Sequence, residues 1–364
     1  MSESVTPQQR TAAAPTTPTF CTIIPPHILG KLSESDDPAH HEPARRTLEH
    51  DALHRTRRND LTAQLIAPDE ARADADKPHR TIYDAGHQQN LPGTKVHAEA
   101  DGPSKDASVN RAQAGLGATF EFYLKAYNRK SIDGAGLPLD ATVHYGQKYD
   151  NAFWDGQRMV FGDGDGTLFK DFTIPVDVIG HELTHGVTQY TAALDYQGQS
   201  GALNESLSDV FGSLIKQYAL KQTADQADWL IGADLLAPGV HGQALRSMKA
   251  PGTAYDDPHL GKDPQPATMA GYVQTADDNG GVHLNSGIPN HAFYLVASAL
   301  GGKAWERAGQ IWYDVLTGGH LAKTAQFADF ANLTVQAAQT RYGGSGAEHE
   351  AVVKAWSTVG VTGK

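Results

Sequence analysis

Only one of the 364 residues is cysteine, Cys21, which excludes an internal disulfide framework. No apolar run approaches the roughly 18 residues of a membrane span. The longest, around residues 292–300, reads as a buried helix segment. Basic residues number 30 against 42 acidic ones, giving a net charge of −12. The pairs Arg45-Arg46 and Arg57-Arg58 sit among acids, so no positive stripe for nucleic acid is present, and no membrane partner is expected. Residues 1–19, rich in Ser, Thr, Pro, Gln and Ala, lack a basic stretch followed by an apolar one. They read as a disordered tail and not as a Sec signal. No internal repeats are evident. The chain is long enough to bury two sizeable cores.

What is present centres on His181-Glu182-Leu183-Thr184-His185. On a helix, positions i and i+4 share a face, so both imidazoles point at one spot. Two neutral imidazoles at that separation suit Zn²⁺, and the intervening glutamate is placed to act as a general base on water activated there. Twenty residues on, Glu205 and Asp209 repeat the i, i+4 spacing within the apolar stripe Leu203, Leu207, Val210, Phe211, Leu214, Ile215 and Tyr218. That periodicity predicts a mostly buried helix. Acids there need a metal or a hydrogen-bonding partner. Glu205 as third zinc ligand and Asp209 as acceptor for a ligating histidine meet that need; two solvated acids on a polar face are the alternative. A third cluster, Asp278-Asn-Gly-Gly-Val-His283, brackets a glycine turn. Across it, Asp278 can fix the tautomer of His283 and leave its other nitrogen to stabilise an oxyanion, the alternative being a solvated loop histidine.

These three clusters, with Asn151-Ala-Phe-Trp154 and Gly162-Asp-Gly-Asp-Gly166, together resemble the thermolysin family of zinc metalloendopeptidases from about residue 81 onwards. Residues 20–29 resemble the short propeptide of its protealysin-like branch. The resemblance implies an α+β, two-lobed zincin: a β-rich N-terminal lobe and a mainly helical C-terminal lobe, the zinc helix between them and a short propeptide ahead. It implies one catalytic Zn²⁺ on His181, His185 and Glu205, with Glu182 as general base, His283 and Tyr196 as oxyanion donors, Asp278 orienting His283 and Asp209 orienting His181. Arg246 matches the arginine that contacts the substrate carbonyl just past the scissile bond. Phe169, Phe172, Val178, Ile231, Leu235 and Leu245 match the primed-side pocket. All are apolar, so cleavage before large apolar residues is expected. Asn151-Ala152 opens a segment that reads as an exposed edge strand, able to bind peptide backbone regardless of sequence.

The segment Ile23-Ile24-Pro25-Pro26-His27 adds an expectation. Proline pushes its predecessor towards extended backbone and lacks an N–H, so Ile24, Pro25 and Pro26 are expected to lie strand-like in the cleft as a slowly cut inhibitor. A flexible linker is the alternative. Cys21 reads as a small apolar packing residue in preference to a thiolate on the zinc. At the family's double calcium site Asp177 and Asp228 remain, but Lys216, Leu230 and Ala233 replace acids. Ca²⁺ takes six to eight oxygens, so the double site is expected to be lost, with Lys216 pairing Asp177 or Asp228. Asp163 and Asp165 fit either a cation or a turn.

Along the chain, the reading is a tail at 1–19, a propeptide at 20–72 with a helix over 47–66, a β-rich lobe at 73–179 and a helical lobe at 180–364. Strands are expected near 142–145, 153–154 and 158–161, with a helix over 106–128; later helices are expected at 176–192, 202–221, 287–300, 303–317, 324–342 and 347–358. Family enzymes commonly act outside the cell, so secretion by a non-Sec route is expected, cytoplasmic action being the alternative. A catalytically silent zinc-binding protein is the competing function; retention of Glu182, Tyr196, Asp278 and His283 speaks against it. An exopeptidase would need a terminus-binding pocket, for which no sequence feature is seen.

Overall fold

The computed structural model of the chain describes residues 22–60 and 74–362. A five-stranded sheet forms the first lobe: β1 (Arg80–Asp84), β2 (Thr94–Ala98), β3 (Leu139–Val143), β4 (Ala152–Trp154) and β5 (Arg158–Phe161), in the order β2-β1-β3-β5-β4. β1, β3 and β5 run parallel, while β2 and β4 pair antiparallel at the two edges. β4 therefore lies at one edge of the sheet.

Helix α3 (Ala107–Tyr127) connects β2 to β3 and covers the sheet. Asp106 starts it by accepting the N–H groups of Ser108 and Val109, and Asn128 ends it in the left-handed region at φ 52°. Its buried face, Val109, Ala112, Leu116, Phe120 and Tyr123, follows three- and four-residue spacing. Gly115 lets it approach the next helix; a Cβ there would meet Ile179 Cδ1 at 2.3 Å.

That helix, α4 (Val176–Gln189), is buried from Asp177 to Thr188 and lies between the lobes. α5 (Gly198–Leu220) packs directly against it. The approach is close because glycines face each other. A Cβ on Gly180 would stand 3.3 Å from Gly212 Cα, and one on Gly212 would stand 2.5 Å from the Asp177 carbonyl oxygen. Four two-residue strands, β6 (Leu230–Ile231), β7 (Arg246–Ser247), β8 (Asp256–Asp257) and β9 (Gly261–Lys262), form two small antiparallel two-stranded sheets. Then come α6 (Asp278–Asn285), α7 (Gly287–Leu300), α8 (Ala308–Thr317), α9 (Phe327–Tyr342) and α10 (Ala347–Thr358), which complete the helical lobe. Trp312 and Trp356 stack in parallel within it, and Phe330 meets both edge-on.

Ahead of the sheet, α1 (Pro26–Ser33) and α2 (Pro38–Asp60) pack against each other. Ile23, Ile24, Ile28, Leu29 and Leu32 are buried in the main core. The helix expected over 47–66 begins nine residues earlier, at Pro38; beyond residue 60 the expectation falls outside the described residues, as do Cys21 and the 1–19 tail. Among the described residues no helix is long and apolar enough to cross a membrane.

Candidate metal centre and cleft

His181 and His185 lie one turn apart on α4, with their Nε2 atoms 3.0 Å apart. Glu205 comes from α5. Its Oε2 is 3.5 Å from His181 Nε2 and its Oε1 is 3.6 Å from His185 Nε2. Zinc with ligands at 2.0–2.1 Å in a tetrahedron separates its donors by about 3.3 Å. The three side chains therefore fit one zinc ion. Among the described residues they are the one group of His, Cys, Asp or Glu compact enough to hold a metal. The outer nitrogens are engaged elsewhere: His181 Nδ1 bonds Asp209 Oδ1 at 2.8 Å, and His185 Nδ1 lies 2.9 Å from Asn204 Oδ1 and 3.0 Å from Ser208 Oγ. These partners turn both Nε2 atoms towards Glu205.

The electrostatics favour a cation. Burial opposes the charged form of His181, but Asp209 and Glu205 outweigh it and lift the ring to about 9. Burial drives His185 down to about 3, keeping it neutral and able to donate a lone pair. Burial also opposes ionisation of Glu205, yet His283, His185 and His181 hold its carboxyl well below the usual range.

Glu182 points to the first lobe. Its Oε2 accepts the Trp154 N–H of β4 at 3.1 Å, and its Oε1 is buried with no hydrogen-bond partner among the described residues. Burial lifts this carboxyl to about 8, against the pull of His181 and with a further push from Glu205. On the other side, His283 Nδ1 lies 2.6 Å from Asp278 Oδ1, and the His283 N–H donates to Asp278 Oδ2 at 2.8 Å. Residues 278–281 all take positive φ, the tight turn that lets Asp278 fold back on His283. His283 Nε2 stands 3.3 Å from the Tyr196 hydroxyl, which donates to Glu205 Oε1. Beneath these groups Asp209 takes both Nε and Nη2 of Arg246 at 2.8 and 2.9 Å, and Asn290 Nδ2 at 2.8 Å.

The N-terminal segment enters between these walls. The Ile23 N–H donates to the Ala152 carbonyl at 3.2 Å and the Ile24 N–H to Asn151 Oδ1 at 3.0 Å. The Ile23 carbonyl accepts from Arg246 Nη1 at 3.1 Å, and the Thr22 carbonyl lies 3.2 Å from His283 Nε2. From α2, Asp51 accepts Tyr149 Oη at 2.6 Å and Asn151 Nδ2 at 3.1 Å, and Thr47 Oγ1 accepts the Asp150 N–H at 3.0 Å.

Family comparison gives the same reading from a separate direction. Residues 57–189 match the family described as "Thermolysin metallopeptidase, catalytic domain", and residues 192–361 match "Thermolysin metallopeptidase, alpha-helical domain". The chain belongs to the thermolysin metallopeptidase family. It is 53% identical over 348 residues to an extracellular metalloprotease of Pectobacterium carotovorum subsp. carotovorum, covering 94% of this chain and 96% of that one. It is 47% identical over 341 residues to Protease PrtS of Photorhabdus sp. (strain Az29), covering 93% and 91% respectively. Among solved structures, the precursor of protealysin, a metalloproteinase from Serratia proteamaculans, matches with a TM-score of 0.85 and 51% identity over 94% of this chain and 100% of that one. This chain is accordingly a metalloendopeptidase of the thermolysin family, with zinc as its catalytic metal.

Within that family frame, the expectation for the proline pair changes. Residues 22–25 form no strand: the chain bends at Ile23 and Ile24, Pro25 is the extended residue before α1, and Pro26 is its first residue. The proline pair starts a helix, where a fixed φ and a missing N–H cost nothing, and the cleft contacts fall to Thr22, Ile23 and Ile24. Phe169, Phe172, Val178, Ile231, Leu235 and Leu245 are buried in the same core as Ile23 and Ile24. Lys216 Nζ lies 2.8 Å from Asp228 Oδ2 and 3.4 Å from Asp177 Oδ2. Asp165 accepts the N–H groups of Thr167, Leu168 and Phe169, and Asp163 faces His144 and His87, so a turn and an ion pair account for the Gly-Asp-Gly-Asp-Gly stretch.

Sequence reasoning missed Asn204 and Ser208, which share the i, i+4 spacing of Glu205 and Asp209 one residue earlier. It also missed Thr47 and Asp51, again at i, i+4 on a helix; a carboxylate spaced from a threonine in a polar helix carries no signal of burial.

Proposed function

We propose that this enzyme is an endopeptidase of broad preference, made as a latent precursor whose N-terminal segment occupies its own cleft. The observation that carries the reading is the pair of segment carbonyls: Thr22 faces His283 while Ile23 faces Arg246. The proposed division is a tail at 1–19, an inhibitory propeptide at 20–72 and catalytic lobes at 73–179 and 180–364.

Held by His181, His185 and Glu205, zinc supplies Lewis acidity that activates water near neutral pH and polarises a peptide carbonyl. Glu182 takes the water's proton at Oε1 and passes it to the departing amine; burial raises its carboxyl, which makes the carboxylate a stronger base. The Trp154 N–H fixes the other oxygen. His283 and Tyr196 donate to the carbonyl oxygen as it gains charge, with Asp278 holding His283. Asn151 and Ala152 hold backbone along β4, Arg246 holds the next carbonyl, and Phe169, Phe172, Val178, Ile231, Leu235 and Leu245 form the apolar pocket. Lys216 supports a further part of the reading: its ammonium serves Asp177 and Asp228, so calcium contributes little to stability. The relatives' description as extracellular supports action outside the cell.

Casein hydrolysis by the processed enzyme tests this. Glu182→Gln is expected to lower kcat by about 10²–10⁴-fold. On a peptide series varied just past the scissile bond, Leu and Phe are expected to be cut well ahead of Asp and Lys. Equal rates across that series contradict the pocket, and no hydrolysis at all favours the silent scaffold.

A further inference from the structure

Four polar contacts fix one dipeptide unit of the N-terminal segment in the cleft. The carbonyl of Thr22 points at His283 Nε2, 3.2 Å away, on the side where Tyr196 and Glu205 also converge. The N–H of the next residue, Ile23, is held by the Ala152 carbonyl at 3.2 Å. The Ile23 carbonyl then meets Arg246 and the Ile24 N–H meets Asn151. The bond between Thr22 and Ile23 thus has its carbonyl at the donors that stabilise developing charge and its nitrogen on the edge strand. Glu182 reaches that same strand at Trp154, two residues from Ala152. The Ile23 side chain is fully buried in the core that contains Phe169, Phe172 and Leu245. A cavity of about 180 Å³ remains between Thr22, Pro26, Tyr196, Asp278 and His283.

Resting on the latent-precursor reading, we propose that the precursor is its own substrate at the Thr22–Ile23 peptide bond. The step is a plain hydrolysis. The water oxygen bonds to the Thr22 carbonyl carbon, the bond to the Ile23 nitrogen breaks, and one water proton passes through Glu182 to that nitrogen. The second water proton is released as the Thr22 carboxyl ionises and is taken up by the amine or by solvent; residues 1–22 leave with a carboxylate at Thr22, and Ile23 becomes a new N-terminus.

The cut does not free the cleft. Ile23 stays attached to α1 and α2, which remain held through Asp51 on Tyr149 and Asn151, Thr47 on the Asp150 N–H, and His27 Nε2 at 3.0 Å from Tyr255 Oη. The product is a nicked protein that is still latent. The prolines are the third and fourth residues of the new N-terminus and lie clear of the broken bond.

The test follows the full-length precursor with zinc by intact mass and N-terminal sequencing, alongside casein hydrolysis. A species beginning Ile-Ile-Pro-Pro-His is expected to accumulate at a rate independent of protein concentration, and to be absent in Glu182→Gln. Ile23→Asp, which puts a charge into the apolar pocket, is expected to slow that cut by about tenfold or more. Casein hydrolysis by the fully processed enzyme, which no longer contains residue 23, is expected to be unchanged. Should Ile23→Asp fail to fold, a synthetic peptide of residues 16–30 given to processed wild-type enzyme is expected to be cut between Thr22 and Ile23. Active enzyme that leaves this bond intact in both precursor and peptide overturns the inference while the latent-protease reading stands. A protein that never hydrolyses casein overturns that reading and the inference with it.

Discussion

Asp209 shows how much one buried side chain carries. One oxygen meets His181 Nδ1 and Arg246 Nη2, and the other meets Arg246 Nε and Asn290 Nδ2. Burial opposes its charge, but Arg246 and His181 bring its carboxyl down to about 2. The same residue thus orients a zinc ligand and neutralises the arginine that holds the Ile23 carbonyl. Asp209→Ala leaves Arg246 buried without a counter-charge, a loss expected to cost about 3–5 kcal/mol in denaturant unfolding. Zinc affinity is expected to fall about 10–100-fold, measured by competition with a chelator. A variant as stable as the parent contradicts the assignment. At this scale the sequence was readable where spacing carried chemistry, as for Glu205 and Asp209. Arg246, on β7, stood out only through family resemblance, because its partner Asp209 lies far away in sequence on α5 and nothing local marks it.

The elements owe their positions to contacts of two kinds. Where α4 meets α5, Gly180 and Gly212 allow backbones close enough for Glu205 to reach both histidines. Where β3 ends, His144 joins the sheet to α3: its Nδ1 meets Asp163 at 2.8 Å and its Nε2 meets Asp106, the start of α3, at 2.9 Å. Asp163 lifts the ring, burial opposes it, and with Asp106 added its pKa reaches about 9. The folded ring keeps its proton up to about 9, whereas the unfolded ring releases it near 6.5. The stabilisation is therefore complete below 6.5 and fades as pH rises towards 9. His144→Gln is expected to cost about 1 kcal/mol at pH 6, allowing for solvent screening at this half-buried position, and close to nothing at pH 9.5. A pH-independent difference in unfolding free energy contradicts the ion pair. Helix α3 was legible because Asp106 and Asn128 bracket a periodic apolar face. The two-residue strands β6 to β9 were not, since so short a pairing leaves no alternation to read. The early start of α2 was hidden by its polar sequence, which lacks an apolar stripe.

For the whole molecule, the N-terminal helices and the catalytic lobes meet along the cleft. Thr22, Ile23 and Ile24 contact His283, Arg246 and Asn151, the groups proposed to bind a substrate backbone, and α2 grips the approach to β4 through Asp51 and Thr47. The two-lobed arrangement was visible from motif order, because each motif belongs to one wall of the cleft. The path of the N-terminal segment was not: two prolines read as an extended strand, and only the buried face of Ile28, Leu29 and Leu32 turns them into a helix start. All of this function depends on one ion held by two histidines and one glutamate. Elemental analysis of zinc per chain tests that directly, on purified wild type, Glu182→Gln and Glu205→Ala. One zinc per chain is expected in the first two, and well below one in Glu205→Ala. A full complement of zinc in Glu205→Ala, or none in wild type, contradicts the account.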